Sequence, residues 1–273
     1  VKDCCFNGPA EMLNTTKYTQ PCMVAFAVGV TKILENKGIV PEMAAGLSLG
    51  EYSALYAAGV FDEQQVISLV AFRGQSMAEA VVDRACKMAA VINLDREKVE
   101  ACCAQAHEEF KDEACNVVEP TNYNCPGQIV ISGDVAPVDR AIELLTEAGA
   151  RRCIPLVVSG PFHTSLMKPA GDKLRERFKE ESFGDMKIPV VFNSLGRFKT
   201  EEESIPALLE KQVQHSIYIE DSIRYMAEQG VDTIVEIGPG TALSKFVKKT
   251  CPEITCYSVE KVADVDALLE KLA

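Results

Sequence analysis

Ser48 lies in Gly46-Leu47-Ser48-Leu49-Gly50, after a short apolar run at residues 43–45 and before a helix-forming stretch. A nucleophile elbow has that organisation: flanking glycines permit a sharp turn, and the serine is presented at a helix start. The backbone N–H of Leu49 then points to where an oxyanion would form. The pentapeptide alone also fits an ordinary turn, but the strand before it and the helix after it favour the nucleophile. A serine hydroxyl needs a base, and the chain offers three histidines. His107 falls in the polar stretch Ala106-His107-Glu108-Glu109 and reads as a solvated helix residue. His215 follows Gln214 where a helix gives way to a loop, near the negative end of the helix dipole. His163 sits in Ser159-Gly160-Pro161-Phe162-His163-Thr164, where an apolar strand ends and a Gly-Pro turn leads into a helix. Ligand clefts of open α/β sheets form at such strand ends. Position and elimination make His163 the base; the competing reading is a helix-start histidine without catalytic work.

Arg73 is the next anomaly. Val66, Leu69, Val70 and Met77 form one apolar stripe at helical spacing, and Arg73 falls on it. A guanidinium on a core-facing stripe costs several kcal/mol unless an anion pairs with it. Two readings stand: a structural ion pair with an internal carboxylate, or a bidentate clamp for a carboxylate-bearing substrate. Gly238-Pro239-Gly240-Thr241 could seat an anion at a helix start, but a tight structural turn accounts for it better. On the helix that follows, Lys245, Lys248 and Lys249 share a face. That face is either merely solvated or a dock for an acidic partner.

The elements that must position these residues alternate between helix and strand, the pattern of an α/β architecture. A helix at residues 21–34 precedes the elbow, and a long helix starts near Asp62, with Gln65 completing a capping-box pattern. The order then becomes β-α-β-β-α-β: strands at 88–93, 116–123, 128–132 and 152–158, helices at 95–108 and 136–148. That is the ferredoxin-like arrangement, read as a small domain inserted into a larger one. Residues 189–193, 233–237 and 255–259 are continuous apolar runs, as expected of strands buried on both faces of a parallel sheet.

Composition narrows the function. A net charge of −12, no Trp and no glycine-rich phosphate loop argue against nucleic acid and nucleotides as partners. No apolar run approaches a membrane span and no signal segment is present. The eleven cysteines are odd in number, include the adjacent pairs Cys4-Cys5 and Cys102-Cys103, and contain no C-x-x-C. Reduced thiols in a cytoplasm fit that pattern better than disulfides or a metal site.

The segments GLSLGEYSAL, FRGQSM, NYNCPGQIVISG, SGPFHTSLMKPA, LLEKQV and VEIGPGTALSKFVKK resemble, in order, those of the bacterial malonyl-CoA:acyl carrier protein transacylase family. The resemblance runs from about residue 20 to residue 249. It implies an α/β-hydrolase-like large domain with a parallel sheet (residues 1–86 and 158–273) and an inserted ferredoxin-like domain (87–157). It implies Ser48 as the acylated nucleophile, His163 as its base, Gln212 as the residue whose backbone carbonyl orients the histidine, and Leu49 as an oxyanion donor. Arg73 would hold the malonyl carboxylate, with Phe162, Leu47 and Asn124 as further substrate contacts. Phe162 would narrow the pocket against an α-branch, and Leu47 stands where many members carry histidine. Lys245, Lys248 and Lys249 would meet the carrier protein. The implied partners are malonyl-CoA and acyl carrier protein, in cytoplasmic fatty acid biosynthesis. No cofactor beyond the CoA and phosphopantetheine of the substrates is implied, and the protein is taken as a monomer. The family's N-terminal strand and Gly-Gln-Gly-x-Gln loop, source of a second oxyanion N–H, have no counterpart, Val1 falling inside the family fold. Two alternatives compete: a serine esterase or thioesterase, and a non-catalytic module that binds the carrier protein.

Overall fold

The computed structural model describes residues 1–82, 84–157 and 160–272. Its larger part is built on helices Thr16–Asn36, Gly50–Ala57, Glu63–Glu79, Lys168–Phe178 and Ile205–Gln214. These pack around Val190 and Phe192 in one hydrophobic cluster that also buries Tyr52, Leu55, Leu69 and Met167. The first and third of these helices lie very close: a Cβ on Gly74 would come 2.9 Å from the Thr16 carbonyl oxygen. The long helix begins at Asp62 as expected, whose carboxylate accepts from the Gln65 N–H at 2.7 Å. Only half of the capping box forms, because the Gln65 side chain turns away to Glu181 and the Ser182 carbonyl.

Strands Cys86–Ile92, Val118–Cys125, Gln128–Asp134 and Arg152–Pro155 form an antiparallel sheet in the order 4-1-3-2 of their own sequence. Helices Arg96–Glu109 and Val135–Glu147 cover one face, burying Val99, Cys103, Val138 and Leu145. This is the ferredoxin-like order. The last strand ends at Pro155, and residue 158 of the expected strand lies outside the described residues. A fifth strand, Ile217–Tyr218, comes from the far side of the chain and pairs in parallel with Val118–Cys125. Two residues carry no periodicity, so no sequence pattern announces it.

The parallel strands match expectation at Val190–Phe192 and depart from it at the two later runs. Ala44–Ala45 pairs with Val190–Phe192, and Thr233–Ile237 pairs separately with Thr255–Val259. No strand among the described residues joins the two pairs. Val190–Phe192 is buried and paired on both edges, its second neighbour being the antiparallel strand Arg197–Phe198. The strands of the second pair each keep an open edge and are mostly half-buried, only Glu236 and Val259 being covered. All eleven cysteines are free thiols. No helix among the described residues is long and apolar enough to cross a membrane.

Candidate active site

Ser48 stands at the turn between the two-residue strand Ala44–Ala45 and helix Gly50–Ala57, with φ of 52°. A non-glycine residue in that left-handed region is held there only by its surroundings. The two elbow glycines are unequal. A Cβ on Gly46 would lie 2.1 Å from the Gly50 carbonyl, whereas a Cβ on Gly50 would meet nothing within 4 Å. We therefore expect Gly46→Ala to break the elbow and cost activity by about 10²-fold or more, and Gly50→Ala to keep most of it. Transfer rates of the two purified variants check this. The Ser48 N–H is already bonded, while no protein acceptor among the described residues takes the Leu49 N–H. Leu49 thus offers the free elbow donor.

His163 is 3% exposed, also at positive φ (61°), in the turn before the short helix Ser165–Met167. Thr164 Oγ1 donates to the Pro161 carbonyl, and Glu119 of the small sheet accepts from both the N–H and hydroxyl of Ser165. The turn that carries the histidine is therefore pinned from two sides. His163 Nε2 lies 2.8 Å from Ser48 Oγ, and Nδ1 lies 2.7 Å from the Gln212 carbonyl oxygen. A carbonyl can only accept, so Nδ1 carries the proton and Nε2 presents its lone pair to the serine hydroxyl. Burial, then the nearby Arg73 charge, lowers the His163 pKa from 6.5 to about 4; the bond to Gln212 opposes this. The ring is neutral at pH 7.

Arg73 is 1% exposed and has no carboxylate within ion-pair distance among the described residues. Its guanidinium donates to Gln20 Oε1 at 2.8 Å, Ser48 Oγ at 3.0 Å and Gln212 Oε1 at 3.0 Å, and Nε is buried without a partner. The Tyr52 ring lies 5.6 Å away. Glu51 is the nearby carboxyl, but burial raises its pKa from 4.5 to about 8, against the bond from the Asn193 N–H and the attraction of Arg73. At neutral pH it is protonated, so Arg73 faces neutral partners only. Of the two sequence readings, the structural ion pair finds no partner here.

Gln212 does more than its backbone suggests. Its side-chain oxygen takes Arg73, and its side-chain nitrogen donates to the Ser48 carbonyl at 2.7 Å. One buried residue thus touches the serine, the histidine and the arginine.

The other sequence candidates are scattered. Asn124 is buried on strand Val118–Cys125 with its side-chain oxygen unpartnered. Phe162 is half-buried and packs against both the main core and Met88, Ala90 and Val130 on the small sheet. Leu47 points into the cluster of Val191, Ile217 and Ile223. Lys245, Lys248 and Lys249 are exposed on helix Ala242–Thr250 and form no ion pair among the described residues. The Gly238–Thr241 turn seats no anion, because the Glu236 carboxylate already accepts from the Leu243 and Ser244 N–H groups at 2.9 Å. His107 and His215 are exposed and remote in role: His107 Nδ1 meets the Asn116 carbonyl, and His215 caps helix Ile205–Gln214. Ser159 of the histidine motif lies outside the described residues. Sequence reasoning missed Gln20, Glu51 and Asn193, whose one signal is polarity inside otherwise apolar segments.

A serine held against a neutral histidine, beside an unneutralised guanidinium, is acyl-transfer geometry. The chain belongs to the acyl transferase domain family, whose model matches residues 1–267. It is 39% identical over 267 residues to the malonyl CoA-acyl carrier protein transacylase of Bacillus subtilis, covering 98% of this chain and 83% of that protein. The crystal structure of the MCAT from Streptococcus pneumoniae superposes with a TM-score of 0.90 at 47% identity, over 96% of this chain and 84% of that one. A malonyl-transacylase solved in complex with a type II PKS acyl-carrier protein superposes with a TM-score of 0.92 at 37% identity, over 99% and 86%.

Proposed function

We propose that the protein is a malonyl-CoA:acyl carrier protein S-malonyltransferase serving fatty acid biosynthesis in the cytoplasm. The observation that carries this is the buried Arg73 guanidinium, 3.0 Å from the Ser48 hydroxyl and paired with no carboxylate among the described residues. A substrate that brings an acyl carbonyl to Ser48 and a carboxylate to Arg73 satisfies both. Malonyl-CoA is such a substrate, and acetyl-CoA lacks the second group.

In the first half-reaction Ser48 Oγ attacks the thioester carbonyl while His163 Nε2 takes its proton. The Leu49 N–H stabilises the oxyanion as the tetrahedral centre forms. The centre collapses to a malonyl ester on Ser48, and the CoA sulfur leaves with the proton from His163. The second half-reaction runs backwards with the phosphopantetheine thiol: His163 takes the thiol proton, sulfur attacks the ester, and Ser48 Oγ recovers its hydrogen. The Gln212 carbonyl keeps the imidazole in one tautomer, a task that needs no carboxylate. The residues fill these roles without a cofactor, CoA and phosphopantetheine being parts of the substrates. Residues 87–157 form the inserted small domain, and 1–86 with 158–273 the catalytic one. The exposed Lys245, Lys248 and Lys249, unpaired among the described residues, provide a basic face for the acidic carrier protein, and Phe162 and Asn124 line the acyl side.

The test is sequential. Incubation with malonyl-CoA, followed by holo-acyl carrier protein, should give a malonyl adduct on the protein that then moves to the carrier. Release of free malonate without transfer would identify a thioesterase, and no adduct would identify a binding module.

The pH dependence carries a sign. Protonated His163 cannot accept from Ser48, so kcat/KM for malonyl-CoA should be flat from pH 7 to pH 5 and fall below about pH 4. Because the folded pKa lies below 6.5, the neutral ring's contribution to stability is complete above about pH 6.5 and is lost as pH falls towards 4. A kinetic profile between pH 3.5 and 8 checks the first statement. An acid limb centred near 6.5 would contradict it.

A further inference from the structure

Ser48 does not hold its left-handed conformation through its own helix or strand. The residue that encloses the turn is Asn193, 1% exposed, placed just after strand Val190–Phe192. Its side-chain oxygen accepts the Ser48 N–H at 2.6 Å, and its side-chain nitrogen donates to the Gly46 carbonyl at 2.5 Å. One amide therefore spans the residues on both sides of Leu47 and closes the elbow from the neighbouring strand. Asn193 is itself held. Its backbone N–H donates to Glu51 Oε2 at 2.5 Å, and its carbonyl accepts from the Tyr218 N–H at 2.8 Å. Glu51 is wholly buried on the first turn of the elbow helix, so the clamp is anchored to the helix it positions.

We propose that Asn193 is a positioning residue for the nucleophile: its amide holds the Ser48 backbone at positive φ and occupies the Ser48 N–H, leaving the Leu49 N–H as the elbow's oxyanion donor. An amide suits the task because it offers one acceptor and one donor side by side. Aspartate keeps the acceptor but sets a second oxygen against the Gly46 carbonyl, and alanine supplies neither. Among the described residues the Asn193 side chain hydrogen-bonds to Ser48 and Gly46 and to neither Arg73 nor His163, so it acts on the nucleophile and not on recognition of the acyl carboxylate. The inference rests on the nucleophile reading of Ser48.

The test measures the rate at which a fluorophosphonate, a serine-directed probe with no carboxylate, labels Ser48. Asn193→Ala should slow labelling by about 10²-fold, the scale for misplacing a reacting group by about an ångström. The loss in kcat for malonyl transfer should be similar, with KM for malonyl-CoA changing little. Asn193→Asp should fall between wild type and alanine. Labelling is counted per folded molecule, from the amplitude of the thermal transition, so a destabilised variant still reports. Equal labelling rates for wild type and Asn193→Ala would overturn the inference, as would a loss confined to KM. If wild type is not labelled at Ser48, the nucleophile reading itself falls, which is a separate outcome.

Discussion

Arg73→Ala is expected to lower kcat/KM for malonyl-CoA by about 10²- to 10⁴-fold while changing acetyl transfer by less than about tenfold. The guanidinium is buried, its neighbours are neutral at pH 7, and it keeps an unpartnered N–H in the folded protein. An incoming carboxylate therefore meets a charge that has already been desolvated and has no competing anion. The gain is large for malonyl and absent for acetyl, and alanine removes it. Paired kinetics with the two thioesters measure the ratio. Equal losses for both would mean that Arg73 only supports Gln20, Gln212 and Ser48. A lysine replacement should not restore the ratio, because a point charge cannot reproduce the fork that serves three acceptors at once.

His163→Ala should reduce malonyl transfer by about 10³- to 10⁴-fold, the scale of a lost general base, with little change in binding of malonyl-CoA. The residual rate should lose its acid limb, since the group titrating near pH 4 has gone. Isothermal titration and single-turnover acylation separate the two effects. A variant that keeps its acylation rate would show that another group takes the Ser48 proton. The described residues offer no second base beside Ser48: the other hydrogen bonds of its hydroxyl and carbonyl come from Arg73, Gln212 and the Glu51 N–H.

The chemistry of this site was legible in the sequence wherever local spacing dictates it. The elbow shows because a strand, a tight turn and a helix follow one another within a dozen residues. Arg73 shows because a charge on an apolar stripe has to be explained. The ferredoxin-like order shows because each element is long enough to display its period. Long-range contacts do not have this property. Asn193 reaches Ser48 across 145 residues, and only because Val190–Phe192 pairs with Ala44–Ala45. Gln212 looked like a supplier of one carbonyl, yet its amide joins Arg73 to Ser48. Beyond its polarity, Glu51 carries no signal of its own in the elbow segment, and only the fold shows it wholly buried on the elbow helix. Gly50, part of the motif, proves sterically free, whereas Gly46 does not. The apolar runs at Thr233–Ile237 and Thr255–Val259 are strands but are half-buried, because hydrophobicity reports what a strand can cover and not which edge is paired.

The central claim is that Ser48 carries the acyl group, and peptide mapping after incubation with malonyl-CoA in the absence of acceptor tests it most directly. A single malonyl ester is expected on the peptide containing Ser48, and it should vanish in Ser48→Ala. An adduct on one of the eleven cysteines, or one that persists in Ser48→Ala, would contradict the account.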